Sequence, residues 1–175
     1  MRSDVDRLLS TWIPADRAEA DRLAEIREAW AARGEGLLRR TTFEPGHLTA
    51  SAVVWSVEGD TVALVWHKAL QRWLQPGGHL EPEDRDLESA ARREVEEEVG
   101  ATELISLGAI DLDVHEIPPN PARNEPVHRH FDIRFAFRVA GPVSHTPGVR
   151  WVTPEEIHSV ETDESVVRLV RLRPR

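Results

Sequence analysis

The sequence predicts an α/β protein built on a mixed β-sheet with helices on both faces. Three observations carry this. Apolar runs of strand length outnumber helical ones, and helical periodicity still marks the start, middle and end of the chain. The regular β-α-β alternation of a Rossmann-type sheet is missing. At 175 residues one domain with a true hydrophobic core is expected, organised as an N-terminal helical extension (1–40) and a core (45–175).

Residues 3–33 carry the first helical pattern. Pro14 suits a first-turn position, Leu23, Ile26 and Trp30 recur at helical spacing, and Gly34 ends the run. After a turn around Pro45-Gly46, residues 48–57 and 61–67 are rich in β-formers and are split by Glu58-Gly59-Asp60, which predicts a hairpin. Trp73 to Gly78 breaks regular structure. An acidic helix follows from about Asp86, a suitable N-cap, to Val99, with Gly100 as its stop.

Residues 103–115 read as extended, and 117–127, with four prolines, as a loop. Phe131, Ile133, Phe135, Phe137 and Val139 then alternate with His130, Asp132, Arg134 and Arg138, the pattern of a half-buried strand with one polar face. A short strand over 149–152 precedes a helix start at Thr153-Pro154. A last helix over 163–172 buries Val166, Val167 and Val170.

Composition narrows the function classes. The net charge of −9 argues against nonspecific binding to nucleic acid, which depends on attraction to phosphates. With no cysteine there is no disulfide framework, zinc-thiolate centre or cysteine nucleophile. No apolar run approaches a membrane span, and Met1 to Asp6 lacks a signal-peptide core, so a cytoplasmic protein is expected.

The charge is concentrated. From Glu81 to Glu98 there are nine acidic residues against three arginines, a balance of −6. Helical spacing puts Glu94, Glu97 and Glu98 on one face, where like charges repel. Hard oxygen donors crowded in this way suit a divalent cation such as Mg2+ or Mn2+. Phosphate chemistry on so acidic a surface would require bound metal. An acidic helix alone is equally a solvated face; the Trp73-Leu74-Gln75-Pro76-Gly77-Gly78 lead-in is what that reading leaves unexplained.

The glycine pair, the helix and the ending Arg93-Glu94-Val95-Glu96-Glu97-Glu98-Val99-Gly100-Ala101 together resemble the signature of the Nudix (MutT-like) hydrolases. One departure stands out. Counted forward from Gly78, the signature's first glutamate falls on Asp84; counted back from Arg93, it falls on Arg85, so the chain carries one extra residue before the helix. The resemblance implies an α/β/α sandwich and a metal-dependent enzyme that cuts a pyrophosphate bond in a nucleoside diphosphate linked to another moiety. It implies Glu94, Glu97, Glu98 and the Gly78 carbonyl as metal ligands, with Arg93 orienting the carboxylates. Glu116 and Glu125 are loop candidates for a proton acceptor.

His79, His130 and Arg134 are candidate substrate contacts. A zinc site drawn from the histidines and aspartate of 128–132 lacks a third ligand fixed by spacing, and Trp66 and Trp73 are candidates for stacking on a base. ADP-ribose, nucleotide sugars and damaged nucleoside triphosphates all remain open as substrates. The alternative function is a catalytically silent module binding a nucleotide or sugar phosphate, and the N-terminal helices leave a homodimer possible.

Overall fold

The helical run at the N-terminus is two helices. In the computed structural model of the chain, which describes residues 1–172, α1 spans Arg2–Thr11 and α2 spans Arg17–Arg33. Pro14 therefore lies between them and not in a first turn. The break is set by Asp16, whose side chain accepts from Glu19 N at 2.8 Å while Glu19 Oε2 accepts from Ala15 N at 2.6 Å. This reciprocal cap starts a new helix where the single-helix reading continued. The buried stripe of α2 runs through Glu19, Leu23, Ile26 and Ala29. Trp30 sits at its edge, its indole donating to Asp6 Oδ1 at 2.7 Å. Gly34, at φ +52°, ends α2 as expected.

Seven strands follow: β1 (Gly46–Trp55), β2 (Val62–His67), β3 (Arg72–Leu74), β4 (Gly77–His79), β5 (Leu104–Ile117), β6 (His128–Val139) and β7 (Val149–Val152). They form one sheet in the order β3-β2-β1-β6-β5, with β4 on β1 and β7 on β2. β2 is antiparallel to β1, β3 and β7, with Trp55 opposite Val62, Trp66 opposite Trp73 and Val62 opposite Val152. Helix α3 (Leu87–Val99) separates β4 from β5, and α4 (Glu164–Arg171) closes the described chain. The expected α/β class is borne out. Trp73 to Gly78 is more regular than expected, because both ends pair with the sheet. Residues 173–175, the end of the expected core, lie outside the described residues.

The chain forms two compact units. The first comprises residues 1–50, 79–90 and 112–133, and the second 51–78, 91–111 and 134 onward. In the first, Arg22 Nε donates to Leu112 O at 2.6 Å and Asp4 Oδ2 accepts from Leu87 N at 3.0 Å, fixing α1 and α2. In the second, a core of Val53, Trp55, Val62, Leu64, Val152 and Ile157 packs with Val166, Leu169 and Val170 of α4.

Strand β6 departs from its expected half-solvated character. Phe131, Ile133, Phe135 and Phe137 are buried, and so are Asp132 and Arg134 on the opposite face. On that polar face Asp132 and Arg134 are buried while Arg138 stays exposed. The alternation reports register, not exposure.

Asp163 caps α4 by accepting from Ser165 N at 3.0 Å and Val166 N at 3.1 Å. Asp163→Ala should lower stability by about 1–2 kcal/mol, seen as a lower urea midpoint with unchanged slope.

Candidate active site

The C-terminal half of α3 and the Gly77-Gly78 turn both lie in the second unit. Gly77 N–H donates to Glu98 Oε2 at 3.0 Å. A Cβ built on Gly78 would sit 2.5 Å from Glu94 Oε1 and 2.7 Å from its carboxyl carbon. A side chain at position 78 would push the Glu94 carboxylate aside, so glycine here keeps that carboxylate close against the main chain. Arg93 Nη1 donates to Glu94 Oε1 at 2.9 Å and lies 3.5 Å from Glu97 Oε1, bracing two acids from one guanidinium.

The helix is positioned by its own ends. Asp86 Oδ1 accepts from Ser89 N at 2.7 Å, and Gly100, at φ +78°, returns its N–H to Glu96 O at 3.2 Å. Val95 and Val99 are fully buried, so the intervening glutamates point away from the core.

Burial pushes the Glu98 carboxyl up to about 7, and the charges of Glu94 and Glu97 push the same way against the Gly77 hydrogen bond. The folded, metal-free chain therefore holds a proton that the unfolded chain releases near its ordinary value of 4.5. Glu98 contributes stability below that value and loses it as pH rises through about 7. The stability of the wild-type chain relative to Glu98→Gln should fall across that interval, measured by denaturation of both in chelator.

The other expected site residues fall elsewhere. Arg134 is 1% exposed. Its guanidinium meets Ser165 O and Ser165 Oγ, both at 3.1 Å, and Asp111 Oδ2 at 3.4 Å. Arg168 binds the same carboxylate oxygen at 2.9 Å. Arg134 is thus engaged in a buried charge network of the second unit.

Asp84 Oδ2 accepts from Glu81 N at 2.8 Å and Asp84 N donates to Glu81 O at 3.1 Å, so the extra residue lies next to a closed turn. Glu116 is exposed, and Glu125 lies 3.8 Å from Arg40. Trp66 and Trp73 meet edge to face at 5.3 Å, with Trp73 packed on the core of the second unit.

His79 and His130 do come together, in the first unit, and with a residue the sequence did not single out. Their rings lie 5.0 and 4.7 Å from that of His47, which is 1% exposed at the start of β1. Nothing in the local sequence marks His47; it is brought in by the pairing of strands.

Fold and carboxylate cluster together define a class, and a family comparison agrees: the NUDIX domain model matches residues 45–170, and the chain belongs to that family. Among curated proteins, a probable DHNTP pyrophosphohydrolase of Lactococcus lactis subsp. cremoris (strain MG1363) is 33% identical over 88 residues. That stretch is 50% of this chain and 51% of the relative, so the chain matches about half the relative's length.

Solved structures share the fold. The C. elegans Ap4A hydrolase superposes with a TM-score of 0.55 at 18% identity, covering 71% of this chain and 92% of that one. The E. coli dihydroneopterin triphosphate pyrophosphohydrolase gives 0.55 at 16%, covering 73% and 94%. The NUDIX domain of Shewanella oneidensis NrtR, in a cocrystal with ADP ribose, gives 0.51 at 16%, covering 83% and 94%.

Proposed function

We propose that this chain is a hydrolase that cuts a pyrophosphate bond in a nucleoside diphosphate, or a related diphosphate or triphosphate, linked to another moiety, using Mg2+ or Mn2+. The approach of the Gly77-Gly78 main chain to Glu94 and Glu98 carries the reading. It gathers carboxylate oxygens of α3 beside the glycine main chain. The donor set fits such an ion: every group is a hard oxygen, and Gly78 leaves room for its carbonyl to join Glu94, Glu97 and Glu98.

When bound, the metal would offset phosphate charge and lower the pKa of the attacking water. The chain's own residues hold the geometry. Arg93 braces Glu94 and Glu97, and the Gly77 N–H orients Glu98. Proton acceptance falls to a carboxylate of this cluster or to Glu116 or Glu125. Membership of the NUDIX family and the pyrophosphohydrolase among the relatives support the reaction class.

The test is a panel of ADP-ribose, nucleotide sugars, nucleoside triphosphates, dinucleoside tetraphosphates and dihydroneopterin triphosphate. Each is incubated with Mg2+ or Mn2+, and phosphate is scored before and after phosphatase treatment. At least one member should release product, EDTA should stop it, and restored Mg2+ should recover it. Metal uptake with no product from any member would favour the silent binding module.

A further inference from the structure

Five of the chain's eight histidines gather in the first unit. His47, His79 and His130 each offer a ring nitrogen within 4.8 Å of the other two. His128 lies 5.0 Å from His47 and 5.3 Å from His130, ring to ring, and His115 lies 5.4 Å from His130.

Outer partners fix the tautomer of His47 and of its neighbours His128 and His115. His47 Nδ1 lies 3.1 Å from Thr42 O, a carbonyl that only accepts, so Nδ1 carries the proton and Nε2 the lone pair. His128 Nδ1 meets Pro126 O at 2.8 Å in the same way. His115 Nδ1 meets Asp113 Oδ2 at 2.9 Å. A ring N–H given to a carbonyl or carboxylate while the other nitrogen faces inward is the habit of metal-bound histidine.

Two inward nitrogens are left over. His47 Nε2 and His130 Nε2 are buried and have no hydrogen-bond partner among the described residues. A buried polar atom without a partner is costly, and two within one cluster point to a shared ligand.

We propose that His47, His79 and His130 form a transition-metal site, for zinc or a like divalent ion, with three imidazole ligands and a fourth position open to water. The donors set it apart from the α3 carboxylates, since imidazole suits zinc, copper and nickel where carboxylate suits magnesium and manganese. Burial lowers the pKa of His47, His79 and His130, which favours the neutral ring that a metal binds. Nitrogens on a tetrahedral zinc stand about 3.3 Å apart, so small ring movements close the site. The ion would tie together the starts of β1 and β6 and the end of β4.

The experiment uses the full chain, dialysed against chelator. Zn2+ is titrated against a chromophoric competitor, and Co2+ is titrated with its visible d–d band as the readout. One equivalent of Zn2+ should bind tightly and raise the melting temperature, and Co2+ should give the intense band of a low-coordinate nitrogen site. His79→Gln and His130→Gln should each weaken Zn2+ by roughly 100-fold or more, beyond the loss of an outer partner, while Glu98→Gln retains it.

If the histidine variants do not fold, imidazole 15N NMR of the wild-type chain decides: Zn2+ should shift the ring nitrogens of all three histidines. The proposal is overturned if no Zn2+ binds at micromolar concentration, if binding survives both histidine changes, if it is lost in Glu98→Gln alone, or if those resonances stay still. A failed substrate panel leaves these outcomes untouched.

Discussion

Glu98→Gln is expected to lower the steady-state rate of product release by about 10²–10³-fold, because a metal clamp on transferring phosphate is worth several kcal/mol. The substitution keeps the side chain's shape and leaves one oxygen to accept from Gly77 N–H. It removes the charge that a cation would meet. Burial of Glu98 is partial, and neutralising it relieves repulsion from Glu94 and Glu97, so the variant should melt no lower than wild type above pH 7. Loss of rate together with retained stability separates a ligand from a strut. Undiminished turnover would remove Glu98 from the metal cradle.

Arg134→Met is expected to do the reverse. Asp111 is 1% exposed and shares Arg134 and Arg168 as partners. Removing one partner of a buried pair generally costs about 3–5 kcal/mol, and Arg168, still bound at 2.9 Å, places the expectation near the lower end. The lost bonds to Ser165 also release the first turn of α4. Urea denaturation at pH 7 measures this. The substrate-contact reading predicts instead a raised KM with stability intact.

These two residues show what was legible in the sequence. The carboxylates of α3 were readable because one helix carries them all, and helical spacing fixes which share a face. Five of the seven strands were readable to within a few residues because their β-rich runs are bounded by turns; β3 and β4, three residues each, carry no such run. Arg134 was misleading for a physical reason: alternation gives the face of a strand but not what covers that face. His47 was invisible on similar grounds. It lies far in sequence from His79 and His130, and only strand pairing makes them neighbours. The split of the first helix was within reach, since Asp16 and Glu19 stand at capping distance. The apolar repeat simply ran across the boundary and hid it.

The interleaving of the two units has a consequence for truncation. Their boundaries fall inside β1, β4, α3, β5 and β6, so each of these continuous elements runs through both units. Neither unit is one continuous stretch of sequence, so neither can be excised as a single segment. The residues before 45, although they precede the family match, share the first unit with the histidine cluster. Removing the residues before 45 would therefore take contacts from the unit that holds His47.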